Sequence, residues 1–125
     1  MKVLVDTNIL IYHVGGSAPA SQFLNKIIGE QAFHLSILSV VEFLGWSGHT
    51  EEKFKECQAL VKLAKVFPVD AQIADKAVDL RKTKKIKLAD AIIASTAIVN
   101  NLNLATRNQA DFKGIKALEI INPFL

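Results

Sequence analysis

Lys2-Val3-Leu4-Val5-Asp6-Thr7-Asn8 is the stretch whose reading decides the fold. The run KVLV is too brief for a helix and suits a buried strand. Asp6, Thr7 and Asn8 follow at once, and all three are residue types that cap helix N-termini. Strand, polar turn and helix in that order open an α/β unit. The turn also sets a carboxylate at the carboxyl end of a strand, where open α/β sheets bind their ligands.

The rest of the chain repeats the alternation. Gly15-Gly16-Ser17 breaks the first helix. Residues 21–28 carry Phe23, Leu24, Ile27 and Ile28 at helical spacing and close on Gly29. A short strand is expected at 33–35. A helix over 36–46 shows Ile37, Val40, Val41 and Leu44 on one face, and an amphipathic helix over 51–65 follows. Residues 66–69 read as a strand that Pro68 places near a sheet edge or end. Asp70 caps a helix over 71–82, and a strongly apolar helix spans 88–101. A strand at 102–106, a turn or short helix at 108–112 and a strand at 117–121 complete the pattern. Strands alternating with helices predict a parallel sheet with helices on both faces. No repeat, linker or low-complexity tract divides the chain, so one domain over 1–125 is expected.

Composition narrows the classes. Half of the 125 residues are apolar and 22% are charged, which excludes a disordered chain. The net charge of +3 is mildly basic and is weak evidence for a nucleic-acid partner. Cys57 stands alone, so no intrachain disulfide forms and a reducing compartment is the default. Glu42 and Asp90 interrupt the two most apolar runs, and the N-terminus lacks a cleavage site. A soluble cytoplasmic protein without membrane contact is expected.

Four acids do not look like solvated helix decoration. Asp6 ends the first strand, Glu42 lies in SVVEFLGW, Asp90 lies in LADAIIASTAIV, and Asp111 follows LNLATRNQA. A charge in an apolar setting is costly unless something compensates it. Each has a plainer reading: Asp6 as a helix cap, Glu42 and Asp90 paired with a buried base or reaching to the surface, Asp111 as a turn residue. Their combination suggests one convergent site. Clustered carboxylates raise one another's pKa values. A hard divalent cation such as Mg²⁺ or Mn²⁺ removes the conflict, and can activate water against a phosphodiester.

VDTNILI at 5–11, SVVEFL at 39–44, LADAIIASTA at 88–97 and LATRNQADF at 104–112 resemble, in that order, the motif blocks of PIN-domain ribonucleases. The likeness is greatest to the VapC-like toxins of type II toxin–antitoxin pairs, and it covers nearly the whole chain. It implies a three-layer α/β/α fold and a metal site in which Asp6, Glu42 and Asp90 match the acids of the first three blocks. In the fourth block Asn108 and Asp111 compete, and Asp111 is preferred as a carboxylate acting weakly or through water. Thr7, Asn8, Ser39, Thr106 and Arg107 match polar positions around the site, where Thr7, Asn8 and Thr106 are expected to hydrogen-bond ligand carboxylates or metal-bound waters. The resemblance further implies RNA as substrate, inhibition by a cognate antitoxin, homodimers, and promoter DNA bound only through the antitoxin. Two alternatives remain at this stage: an RNA-processing nuclease of the same fold, and a degenerate interaction module, which Asn108 favours.

The basic run RKTKKIK at 81–87 reads either as a phosphate-contacting rim built from Arg81, Lys82, Lys84, Lys85 and Lys87, or as a solvated loop; Arg107 is expected to contact RNA as well. Trp46, between Gly45 and Gly48, is expected to be core or half-buried, with a partner groove as the alternative. The three histidines lack zinc-ligand spacing with Cys57. No nucleophile elbow, Walker A or GxGxxG motif is present.

Overall fold

In the computed structural model, which describes residues 1–125, strand β1 (Val3–Val5) lies at the centre of a five-stranded sheet. Helices α1 (Thr7–Val14) and α2 (Ala18–Gly29) lead to β2 (Phe33–Ser36). Next come α3 (Ile37–Leu44), α4 (Glu51–Val61) and β3 (Lys65–Phe67). Helices α5 (Ala71–Thr83) and α6 (Leu88–Val99) then lead to β4 (Asn103–Ala105), a 3₁₀ turn (Gln109–Phe112) and β5 (Ile120–Ile121). The strand order is β3-β2-β1-β4-β5, and every pairing is parallel.

Alternation along β1 explains the layers. Val3 and Val5 face a core made with Ile9, Leu10, Leu24, Ile27 and Phe43. Leu4 points the other way, into a core with Leu80, Ile93, Ala94, Leu104 and Phe112. Successive side chains of a strand face opposite sides of the sheet, so a strand buried on both faces must be apolar throughout. The first core draws on α1 to α4, the second on α5, α6 and the 3₁₀ turn. The expected three-layer α/β/α arrangement is the observed one.

Element bounds differ from the sequence reading where local rules compete. Helix α2 begins at Ala18 and not at 21, with Pro19 in its first turn, where a missing N–H costs no hydrogen bond. Helix α4 stops at Val61 because Lys65 is already paired to His34 in β3. Pro68 lies just outside that strand, and β3 is a sheet edge as its presence predicts. The last strand shrinks to Ile120 and Ile121, which pair with Leu104 and Ala105.

The topology dictates where a site belongs. The chain leaves β1 toward β2 and β3 on one side, then crosses back to add β4 and β5 on the other. The direction reverses between β1 and β4, and the crevice at the carboxyl ends of those two strands is the switch point. Asp6 and Thr106 are the residues that follow β1 and β4.

Candidate active site

Asp6 occupies the N-cap position of α1, yet its side chain makes no capping hydrogen bond. Its Oδ2 instead accepts a 2.8 Å hydrogen bond from the Thr106 hydroxyl, across the switch point. The Thr106 oxygen in turn accepts the Asn108 backbone N–H at 3.0 Å. Asp6 is only 7% exposed. Burial pushes its pKa up to about 6; the nearby charges of Asp90 and Glu42 push the same way, and the Thr106 hydroxyl and Thr7 amide oppose them. The capping reading of Asp6 therefore falls away.

Glu42 is exposed on α3, so its apolar sequence neighbours do not enclose it. Helical geometry sends Phe43 into the core and leaves Glu42 at the rim. It pairs with no base; the Thr7 hydroxyl donates to its Oε1 at 2.7 Å. The buried Ser39 hydroxyl lies 3.0 Å from the same Thr7 oxygen. A carboxylate only accepts, so Thr7 spends its one proton on Glu42 and takes Ser39 as donor.

Asp90 stands half-buried in the first turn of α6. Burial raises its pKa, as do the charges of Asp111 and Glu42, while Lys87 works against them. Asp111 is exposed on the 3₁₀ turn and is the strongest anionic neighbour of Asp90. The fold thus brings Asp6, Glu42 and Asp90 within electrostatic reach of one another, and Asp111 within reach of Asp90. It does not draw any three His, Cys, Asp or Glu side chains into a ready-made ion cage.

The surrounding polar positions divide. Thr7 and Thr106 each hold an acid, and Ser39 acts through Thr7. Asn108 contributes its backbone amide. Asn8 makes no side-chain hydrogen bond within the chain: its buried Oδ1 has no partner. The basic run also disperses. Arg81 donates to the Ile86 carbonyl at 3.0 Å, so it ties its own loop. Lys84 is half-buried, with its Nζ over Gly114. Lys82 borders a cleft between α5 and α6, while Lys85 and Lys87 are exposed. Arg107 lies against Tyr12 and Phe124.

Trp46 corrects the expectation of a core residue: it is 63% exposed. Its indole covers Gly48 so closely that any Cβ there would strike the ring. Together with Ile11, Val14 and Phe43 it lines a cleft of about 500 Å³ that reaches Glu42. The sequence signal for this cleft was weak, because Trp46 beside Gly45 and Gly48 reads as readily as a core residue.

A family model of the PIN domain matches residues 3–118. The chain is a PIN domain. Among curated relatives, Ribonuclease VapC10 of Mycobacterium tuberculosis is 31% identical over 122 residues, covering 94% of this chain and 90% of the relative. Ribonuclease VapC1 of Methanocaldococcus jannaschii is 34% identical over 125 residues, covering 92% and 82%. Among solved structures, a toxin–antitoxin complex from Klebsiella pneumoniae superposes with TM-score 0.81 at 30% identity, covering 98% of both chains. FitAcB from Neisseria gonorrhoeae superposes with TM-score 0.80 at 25% identity, again covering 98% of both. The chain belongs to the VapC-like PIN domains.

Proposed function

We propose that this PIN domain, acting as a single domain over residues 1–125, is a metal-dependent endoribonuclease and the toxin of a toxin–antitoxin pair. The observation that carries the reading is Asp6: a carboxylate buried at the switch point, pKa pushed up to about 6, with no cation of this chain to neutralise it. The one ion pair of the fold joins Lys53 to Glu56 in the first turns of α4 and involves none of the four acids. An all-oxygen donor set suits Mg²⁺ or Mn²⁺. Loose spacing of the acids suits an ion that takes one or two carboxylates directly and keeps several waters. Asp6 and Asp90 would hold it; Glu42 and Asp111, at the exposed rim, would reach it through water. When bound, such an ion polarises a phosphodiester and makes its water nucleophilic near neutral pH. The chain's own work is positional: Thr106 and Thr7 fix the Asp6 and Glu42 carboxylates, and burial keeps the charge of Asp6 undiluted by solvent.

The apolar cleft beside Glu42 supports the cognate antitoxin as partner. Ile11, Val14, Phe43 and Trp46 offer apolar contact, and a segment seated there would end at the rim of the acids. A second cleft, of about 440 Å³, exposes Val69, Val78 and Leu88 between α5 and α6. It suits a homodimer in which two α5 helices cross antiparallel at Val78, since that pairing sets Asp75 opposite Arg81 of the other copy. Promoter DNA would be met through the antitoxin alone. No helix is long and apolar enough to cross a membrane.

The test is cleavage of RNA by the purified chain with Mg²⁺ or Mn²⁺. Cleavage that stops with EDTA, and with the product of an adjoining antitoxin-like reading frame, supports the reading. Cleavage that survives EDTA overturns it. The missing ion cage favours one other reading, a degenerate PIN module that binds RNA and leaves it intact. An RNA-processing nuclease would cut with the same metals and lack the adjoining antitoxin frame.

A further inference from the structure

Arg107 directly follows Thr106, the residue that grips Asp6. Its guanidinium lies 4.8 Å from the Tyr12 ring centroid and 4.3 Å from that of Phe124. The two rings meet edge to face at 5.1 Å. Phe124 is itself held in place. Thr106 N–H donates to the Ile121 carbonyl at 3.0 Å, Asn122 Oδ1 accepts the Phe124 N–H at 2.9 Å, and the Asn122 amide reaches the Arg107 carbonyl at 3.4 Å. The C-terminal segment thus folds back to clasp an exposed arginine that has no carboxylate partner.

We propose that Arg107 binds an RNA phosphate flanking the scissile one, and that Tyr12 and Phe124 are positioning residues that aim it. The proposal rests on the ribonuclease reading above. A guanidinium packed against two aromatic rings spends no N–H on a carboxylate and keeps its donors for a phosphate, in the planar geometry that phosphate recognition favours. Tyr12 stands six residues beyond Asp6, roughly 9 Å along α1. It is Thr106 and not Arg107 that touches Asp6, which leaves the scissile phosphate to the acids and a neighbouring phosphate to the arginine. In the basic run the guanidinium of Arg81 spends an N–H on the Ile86 carbonyl.

The experiment measures binding of a fluorescently labelled single-stranded RNA of mixed sequence to the full chain in EDTA, as a function of salt. Arg107→Gln should flatten the slope of log affinity against log salt by about 0.7, the value for one phosphate on a single strand. Phe124→Leu, which keeps the charge and loses the clasp, should give part of that change, and Phe124→Tyr should restore the unaltered slope. A stability defect alone would leave the slope where it was. If the unaltered chain binds RNA and Arg107→Gln keeps its slope, the proposal falls and the ribonuclease reading stands. If Arg107→Gln flattens the slope and Phe124→Leu does not, the positioning role is overturned. If the unaltered chain neither binds nor cuts RNA, both readings fall together.

Discussion

Asp6 and Asp111 both follow strands of the same sheet, yet the fold treats them differently. Asp6 is attached directly to the central strand, buried, and gripped by the threonine that follows the neighbouring strand. Asp111 sits beyond β4 on a 3₁₀ turn, exposed, and makes itself felt through its charge on Asp90. A residue at the end of a fully paired central strand has no freedom to choose its surroundings. One on a short surface turn keeps rotamers and solvent. Strict positional demands fall on the first kind of acid, and adaptable ones on the second.

The difference can be broken most directly by activity. Asp6→Asn should lower metal-dependent RNA cleavage by roughly 100-fold or more, because even partners of metal ligands cost 10- to 100-fold. Asp111→Asn should cost roughly tenfold or less in the same assay. The reverse order would sink the comparison. Next comes Thr106→Val, which removes the grip on Asp6 and should cost roughly 10- to 100-fold, more than Thr7→Val, whose carboxylate is exposed.

Stability without metal should sharpen the contrast and change sign. Asp6 has its pKa raised from 3.8 to about 6, so between those values the folded chain binds more protons than the unfolded one. Stability then falls as pH rises through that window, and the full penalty is present above it. At most the penalty is roughly 3 kcal/mol, since a tenfold change in proton affinity is worth about 1.4 kcal/mol. Asp6→Asn should therefore raise the metal-free Tm by several degrees at pH 7, with the gain fading toward pH 4. Asp111→Asn should leave the melting curve nearly unchanged. A metal-free Asp6→Asn chain that melts lower than the unaltered one at pH 7 would contradict the assignment.

The smallest effect concerns Asp90. Lys87 is the one cation that lowers its pKa. Lys87→Gln should move the Asp90 titration, followed by NMR, to higher pH and leave that of Asp6 in place. A shift of both would mean that the two acids titrate as one unit.

Much of this was legible in the chain. The apolar run before Asp6 announced a doubly buried strand, and the 3.6-residue periods announced the helices, because periodicity records which faces leave water. The motif blocks mark Asp6, Glu42, Asp90 and Asp111 without any geometry. Element ends were less legible: α4 and the final strand stop where sheet pairing claims or releases the backbone. The exposure of Trp46 was not legible, since an aromatic beside glycines carries no sign of what covers it.

By itself, then, the sequence determined the order of strands and helices, the apolar faces and the inventory of acids, all of which are encoded in local spacing. Only the tertiary structure decided that Thr106 grips an acid 100 residues away, that Thr7 serves Glu42, that Asn8 is left without a partner, and that Phe124 clasps Arg107. The reason is physical. Those contacts depend on the order in which parallel strands assemble and on where each side chain then points, and residues distant in the chain carry no local signal of meeting.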